Sequence, residues 1–247
     1  MTEQSNAIPA DSTQVLEWMK EGEARFLAQL DGLTDDELRA DSALPDWSRA
    51  HVAAHVARNA EAVARLLTWA RTGEPTSMYP DTETRNRDIE LSARQEPEAL
   101  RADVGRTSAQ FDDDISTLPE QAWTARVQTM QGREIRASAV PWMRVREVWL
   151  HLVDLGSGVL VESWPGDLVD AVLDEVTATM SGREDAPSWL LRATDRDRDW
   201  QVGPGGGDLP QQEVSGTAAN LLAWLTGRST GEGLATEGVL PVPPHWM

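Results

Sequence analysis

The 247-residue sequence contains no cysteine. Disulfide bonds, thiolate metal ligands and a cysteine nucleophile are therefore excluded, and any thiol chemistry requires an external thiol. The sequence also lacks an uninterrupted apolar run of about 18 residues, and its first 11 residues are polar, without the apolar core of a signal peptide. We therefore expect a cytoplasmic protein that does not span a membrane.

Basic residues are scarce as well. The sequence has 22 lysines and arginines against 41 aspartates and glutamates, which gives a formal net charge of -19. Such a charge argues against sequence-independent binding to nucleic acid or to an anionic membrane. It leaves the charge of a small-molecule substrate open, since an individual site can be locally basic. The remaining composition, 40% hydrophobic and 26% charged, is ordinary for a globular protein.

Four long segments in the first two thirds of the chain carry apolar residues at helical spacing. Ser48 is a capping residue for the second segment, Gly73 and Pro75 end it, and Pro97 begins the third. We expect a polar loop over residues 78–88, a short helix over 86–95 and a small hairpin or extended loop over 124–139. The pattern predicts a four-helix bundle built from residues 12–32, 48–71, 96–118 and 139–156.

The pattern changes to alternating strands and helices after residue 156. We therefore predict two domains, a helix bundle over residues 1–159 and a small α+β domain over residues 160–247, so the fold class is α + (α+β). In the second domain the predicted elements are helices at 165–181 and 217–226, strands at 188–193, 199–202 and 212–216, and a proline-rich tail.

A charged stripe runs along the fourth predicted bundle helix. Glu147 and His151 lie four residues apart on one face, with Arg144 and Asp154 above and below them. Apolar residues flank the stripe on both sides, so we expect it to be buried, and a metal ion is one of the few partners that satisfies a buried carboxylate beside an imidazole. The alternative is an ion pair on the helix surface.

Only four histidines are available as further ligands, and His55 is the best candidate. It lies about 80° from the apolar line of the second helix, whereas His51 lies about 40° further round, beside arginines, and is expected to face solvent. His55, Glu147 and His151 together resemble a catalytic zinc site with three protein ligands. The alternative for His55 is a hydrogen-bonded core residue, and His245, in the tail, is expected to be structural or free.

Three other features were considered as possible parts of a functional site. We expect Arg144 and Asp154 to support the metal ligands rather than to bind the metal. The glycine-rich stretch at residues 203–207 lacks the ending of a phosphate-binding loop and is interpreted as a plain loop. Arg228 follows the last helix, where an arginine often only compensates the helix dipole.

These residues fall within motifs that resemble a known family. The sequence is similar to the mycothiol-dependent maleylpyruvate isomerases, which belong to the DinB-like metalloprotein superfamily. The resemblance spans nearly the whole chain, and its most specific part is the stretch around Glu147. The matching segments are WS at 47–48, AHVARN at 54–59, MY at 78–79, RN at 85–86, WMRVREVWLHLVDLG at 142–156, GR at 227–228 and PVPPHW at 241–246.

The resemblance implies a DinB-like four-helix bundle followed by a small sterol-carrier-like domain. It implies zinc, or another divalent metal, held by His55, Glu147 and His151. It also implies that Arg228, from the C-terminal domain, helps to form the site. Residues 157–207 differ in spacing from the family pattern, so substrate contacts in that region are not assigned.

The family resemblance further implies mycothiol as the external thiol, bound to the metal as a thiolate. Its addition to maleylpyruvate, rotation about the resulting single bond and elimination would give fumarylpyruvate, a step in aromatic catabolism. Arg228 would stabilise the enolate or bind a substrate carboxylate. The alternatives are a mycothiol S-transferase and a non-enzymatic, metal-stabilised binding protein. The partners expected are these small molecules, with no nucleic acid or membrane, and we expect a monomer.

Overall fold

The computed structural model describes residues 12–203 and 211–246. Its chain divides into two compact units, residues 1–158 and residues 159–247. We describe each unit by itself. The described part of the chain contains no helix long and apolar enough to cross a membrane.

The first unit is a bundle of four long helices with one short helix at each of two connections. Helix α1 packs on α6, α3 packs on α5 and α6, and α4 packs on α3. The helices are α1 (Ser12–Gly32), α2 (Asp35–Arg39), α3 (Arg49–Thr72), α4 (Thr82–Ala93), α5 (Pro97–Ser116) and α6 (Val140–Asp154).

Local sequence signals set the ends of α3, which carries one of the candidate ligands. Ser48 is the N-cap residue and accepts a hydrogen bond from the backbone N–H of His51, and the His51 side chain returns to Ser48. Gly73 ends the helix in the left-handed conformation, with φ 77°, which favours glycine. The sequence prediction of this helix differs from the structure by one residue at each end.

The close contact between α1 and α6 depends on a glycine. A Cβ atom at Gly22 would lie 2.5 Å from the indole nitrogen of Trp149, so only glycine fits there. The Trp149 indole donates a 2.8 Å hydrogen bond to the carbonyl of Trp18 on α1. Helix α6, which carries the other two candidate ligands, is therefore fixed to α1 by a buried aromatic side chain.

The segment between α3 and α5 is more helical than the sequence predicted. We expected a loop over residues 78–88 and a helix only from 86, but α4 begins at Thr82. Asp81 caps it by accepting a hydrogen bond from the backbone N–H of Thr84. The predicted hairpin is present, with β1 (Arg126–Gln128) antiparallel to β2 (Glu134–Arg136).

The second unit packs two helices against a four-stranded sheet. Helices α7 (Gly166–Ser181) and α8 (Ala218–Leu225) contact each other, α7 contacts β4, and α8 contacts β3 and β5. The strand order is β4-β3-β5-β6, with β3 parallel to β5 and the other pairs antiparallel. The strands are β3 (Trp189–Ala193), β4 (Asp199–Val202), β5 (Gln212–Gly216) and β6 (Ala235–Thr236).

The predicted fold class, a helix bundle followed by an α+β unit, is confirmed. The short strand β6 was missed, because two residues within a stretch interpreted as a proline-rich tail carry no strand pattern. Of the predicted glycine-rich loop, Gly203 is described, with φ 102°, while residues 204–207 lie outside the described residues.

Candidate metal centre

Two helices of the bundle bring three candidate ligands together. His55 lies in the second turn of α3, and Glu147 and His151 lie one turn apart on α6. One donor atom from each residue lies within 4.8 Å of the others, and this is the single group of its kind among the described residues. The sequence therefore predicted which histidine of α3 faces the α6 pair.

The carboxylate of Glu147 lies between the two imidazoles. Its Oε2 atom is 2.9 Å from Nε2 of His55 and 3.3 Å from Nε2 of His151. The two imidazole rings meet edge to face, with centroids 4.6 Å apart and planes at 88°. The indole of Trp47 also packs edge-on against His55, with ring centroids 5.6 Å apart.

The charged stripe of α6 is not completely buried, contrary to the sequence expectation. The His55 side chain is 7% exposed and that of His151 is 14% exposed, whereas Glu147 retains 23%. The apolar residues beside the stripe bury its flanks, but the carboxylate side of the group remains accessible. A partly open position is what a site for an exchangeable ligand requires.

Asp154 contacts a candidate ligand, as the sequence predicted. Its Oδ2 atom is 2.9 Å from Nδ1 of His151, and its side chain is only 2% exposed. A carboxylate on one ring nitrogen holds that nitrogen protonated and directs the lone pair of the other nitrogen towards a metal. The result is that Nε2 of His151 faces Glu147 and the rest of the group.

The prediction for Arg144 was wrong in its contacts. This residue is fully buried and hydrogen-bonds to none of the three candidate ligand side chains. Its guanidinium instead donates to four groups on α1, α3 and α5. They are the carboxylate of Glu23 at 2.8 Å, the carbonyl of Val56 at 2.8 Å, the amide oxygen of Asn59 at 3.2 Å and the hydroxyl of Ser108 at 3.1 Å.

The three candidate ligands shift one another's pKa values. Burial disfavours the charge of Glu147, but hydrogen bonds from His151 and His55 outweigh it and hold the pKa of this carboxyl well below its usual value. Burial lowers the pKa of His55, and the hydrogen bond to Glu147 opposes this only in part. Burial also acts against charge on His151, but hydrogen bonds to Asp154 and Glu147 outweigh it and raise the pKa.

These residues fit a divalent metal ion. Two imidazole nitrogens and one carboxylate oxygen are the donor set of three-ligand catalytic zinc sites, which leave one position for water or substrate. The donor atoms of His55, Glu147 and His151 already converge, and the orientation of His151 is fixed by Asp154. The same donor set also accepts other divalent ions, so the chemistry of the ligands does not select zinc alone.

The other histidines do not join this group. His51 is half-buried, and its Nε2 atom lies 3.0 Å from a carboxylate oxygen of Glu90 rather than beside the neighbouring arginines. His245 is exposed, and its backbone carbonyl accepts a hydrogen bond from Arg183. The selection of His55 over His51 from helical facing therefore agrees with the geometry.

Arg228 belongs to the second unit. It lies three residues beyond the end of α8, is half-buried, and donates from Nη1 to the carbonyl of Thr226 at 2.6 Å. Its backbone N–H donates to the carbonyl of Ala223. This position, just beyond the C-terminus of a helix, suits a cation.

Sequence reasoning missed two residues beside the candidate ligands. Arg85, on α4, has Nη2 3.2 Å from Nδ1 of His55. The ring of Tyr79, in the loop before α4, lies 5.8 Å from the guanidinium carbon of Arg85. Both residues lie in the segment that the sequence predicted as a polar loop. They also lie in two of the segments that match the family, MY at 78–79 and RN at 85–86, but the sequence assigned them no role.

Two family models match most of the chain. Residues 19–156 match the family model of the mycothiol maleylpyruvate isomerase N-terminal domain. Residues 163–245 match the model of the C-terminal domain of the same family. The chain belongs to this family.

Solved structures of mycothiol-dependent maleylpyruvate isomerase resemble the whole chain. One crystal structure matches with a TM-score of 0.90 at 32% identity, covering 100% of both chains. A mutant of that enzyme in which a histidine is replaced by alanine matches with a TM-score of 0.89 at 31% identity, again over 100% of both chains. The family fold, a helix bundle with a small C-terminal sheet unit, is therefore the fold of this chain.

A more distant structure shares the bundle. YfiT from Bacillus subtilis, described as a probable metal-dependent hydrolase with an unusual four-helix bundle topology, matches with a TM-score of 0.51 at 15% identity, over 63% of this chain and 89% of that chain. At this identity the likeness concerns the fold alone. The comparison with curated protein sequences gives no match.

Proposed function

We propose that the protein is a mycothiol-dependent isomerase that converts maleylpyruvate to fumarylpyruvate. The observation that carries the proposal is the convergence of His55, Glu147 and His151 within a chain of the isomerase family. These three residues would hold zinc or another divalent ion. The reaction would then serve the degradation of aromatic compounds, and the enzyme would act in the cytoplasm as a monomer.

The chain itself prepares the site for a cation. Glu147 remains ionised because both imidazoles hydrogen-bond to its carboxylate, so it provides the negative charge. Asp154 orients His151 so that Nε2 faces the group. His55 is kept neutral by burial, so its imidazole does not repel a metal ion.

The proposed reaction is a reversible thiol addition. When bound, a divalent ion supplies Lewis acidity that stabilises a thiolate in its open coordination position. A C–S bond forms at one alkene carbon of the substrate while the alkene electron pair moves to the conjugated carbonyl oxygen as an enolate. Rotation about the resulting single bond follows. The enolate electron pair then restores the double bond in the trans form, and the C–S bond breaks with its electron pair leaving on sulfur, so that the thiolate is regenerated.

The thiol has to come from outside the chain. No cysteine is present, so the protein has no thiol of its own that could add to the substrate. The name of the family supports mycothiol as this external thiol. Contacts to mycothiol are not assigned to individual residues.

We assign to Arg228 the stabilisation of the enolate charge or the binding of a substrate carboxylate through its two-pronged guanidinium. Its position beyond α8, half-buried and held by the carbonyl of Thr226, supports a fixed rather than a freely moving side chain. We also retain the division into domains 1–159 and 160–247 as a proposal, in which the second domain contributes Arg228 to the activity.

Thiol accounting tests the proposal. Zinc-loaded protein is incubated with maleylpyruvate and a sub-stoichiometric amount of mycothiol, and fumarylpyruvate is measured against thiol consumed. Many turnovers per thiol support an isomerase, whereas a single turnover with loss of thiol indicates an S-transferase. If no thiol-dependent turnover is detected, the alternative of a metal-stabilised binding protein is favoured. If protein verified to be metal-free is fully active, the metal has no part in the reaction.

A further inference from the structure

Arg85 has an unusual set of partners for an arginine in this acidic chain. Its Nη2 atom lies 3.2 Å from Nδ1 of the His55 imidazole, and its Nη1 atom donates at 3.0 Å to the amide oxygen of Asn86. Among the described residues, no carboxylate lies within 4 Å of its guanidinium, although the chain carries a net charge of -19. The positive charge of Arg85 is therefore placed at the candidate metal centre without a carboxylate partner.

Two neighbouring arginines pair with carboxylates, whereas Arg65 on α3, like Arg85, has none among the described residues and donates to the carbonyl of Met78. Arg87, two residues further along α4, lies 3.3 Å from Asp88, and Arg58 on α3 makes an ion pair with Asp103. Arg87 is also 61% exposed, whereas Arg85 is half-buried. Arg85 therefore places a positive charge at the site while its hydrogen-bond acceptor there is a neutral imidazole. A neutral imidazole is a weaker acceptor for a guanidinium than a carboxylate is.

Hydrogen-bond chemistry limits the contact between Arg85 and His55 to one form of the imidazole. A guanidinium only donates hydrogen bonds, so Nδ1 of His55 must accept and Nε2 must carry the proton that is directed to Glu147. A neutral imidazole that binds a metal through Nε2 carries its proton on Nδ1 instead. In that form Nδ1 is a donor, and Arg85 loses its acceptor.

Tyr79 supplies a second hydrogen-bond donor next to Arg85. Its ring lies 5.8 Å from the guanidinium carbon, and its buried hydroxyl lies beside that guanidinium without a hydrogen bond of ordinary geometry. Burial raises the pKa of Tyr79 to about 12, so the hydroxyl keeps its proton. A group that accepts hydrogen bonds would satisfy both side chains at once.

We propose that Arg85 binds a carboxylate of the substrate at the metal centre, and that metal binding by His55 releases Arg85 for this role. The inference rests on the proposed function, in which the substrate carries two carboxylates and therefore favours two cations. Arg85 is the cation that the first unit provides for one of these carboxylates. A guanidinium binds a carboxylate in a bidentate manner, which also fixes the orientation of the substrate.

Binding of maleate to zinc-loaded protein tests the assignment without requiring turnover, because maleate is a dicarboxylate that lacks the keto acid. The variant is Arg85→Met, which keeps much of the side-chain volume, and the matched control is Arg87→Met on the same helix. Isothermal titration gives the dissociation constant for maleate, and competition with a chromophoric chelator gives that for zinc. Circular dichroism of each variant verifies the fold.

We expect maleate to bind Arg85→Met about 30-fold more weakly than the wild type, since a charge-paired hydrogen bond is lost. Arg87→Met binds maleate like the wild type. Zinc binds Arg85→Met as tightly as the wild type or more tightly, because no hydrogen bond of the metal-free state has to be broken. The assignment is overturned by unchanged maleate affinity in Arg85→Met, by an equal loss in Arg87→Met, or by absent maleate binding in the wild type.

The result is separable from the fate of the proposed function. Arg85-dependent maleate binding without thiol-dependent turnover of maleylpyruvate would retain the anion site and remove the isomerase. If the wild type turns over maleylpyruvate and the Arg85→Met variant has the same KM for it, the isomerase function is retained and the role of Arg85 is ruled out.

Discussion

Helix α6 carries two ionic clusters one turn apart, around Arg144 and around Glu147, and their buried charges are balanced by different kinds of partner. Around Arg144, the chain supplies both signs, because the guanidinium is fully buried and donates to Glu23 and to three neutral oxygens. Around Glu147, the described hydrogen bonds come from two imidazoles, and the carboxylate stays 23% exposed. The first cluster contains its own cation, and the second has the composition of a site that accepts one.

The two clusters of α6 are therefore expected to serve different purposes, one for the stability of the bundle and one for metal binding. Arg144 connects α6 to α1, α3 and α5, including the carbonyl of Val56, the residue after His55. It thereby holds α3 and α6 together at the level of the candidate ligands. Changes at Arg144 should act on the fold, and changes at Glu147 on the metal.

The largest effect is expected from Arg144→Met. Removing one partner of a buried ionic network leaves Glu23 buried without its cation and three oxygens without their donor, which costs about 3–5 kcal/mol of unfolding free energy. Urea denaturation of metal-free protein measures this loss. The control is Arg106→Met, an arginine that is 61% exposed and pairs with Asp103 and Glu61. A change of about 1 kcal/mol or less is expected there, and an equally small loss for Arg144→Met would contradict the structural role.

Glu147→Gln should leave the fold and remove the metal effect. Zinc at 100 times its dissociation constant stabilises a protein by about 2.7 kcal/mol if it binds only the folded state. We expect this increment in the wild type and little of it in the variant, because an amide is a poor metal ligand. Denaturation with and without zinc, together with elemental analysis, measures it. Unchanged metal content in Glu147→Gln would show that the carboxylate is not a ligand.

A smaller effect is expected at Asp154, which orients a ligand without binding the metal. Loss of such a supporting carboxylate typically weakens metal affinity about 10- to 100-fold. Asp154→Asn should fall in this range in a chelator competition assay. A loss as large as that of Glu147→Gln would instead make Asp154 a direct ligand.

The smallest effect is a change of metal affinity with pH. The pKa of His151 is raised by its hydrogen bonds to Asp154 and Glu147, and the protonated ring cannot bind a metal. Zinc affinity should therefore be constant above that pKa and fall about tenfold for each pH unit below it. In Asp154→Asn the decline should begin at a lower pH, because one cause of the raised pKa is gone. An affinity that does not change through this range would exclude His151 as a ligand.

The sequence predicted the features that depend on periodicity. The four bundle helices, the facing of His55 rather than His51, and the contact of Asp154 with His151 all follow from positions three or four residues apart on a helix. The partners of Arg144 come from α1, α3 and α5, and no spacing within α6 identifies them. Arg85 was missed for a similar reason, since the start of α4 at Thr82 depends on the cap at Asp81 and its contact with His55 joins separate helices.

The edge-on contact between Trp47 and His55 makes an optical measurement available. A paramagnetic ion such as Co²⁺ bound at this imidazole would quench the fluorescence of an indole that touches the ring. The chain has 11 tryptophans, so the signal is the part of the emission that disappears in Trp47→Phe. Loading of the metal centre can then be followed in real time, in the native protein and without a chemical label.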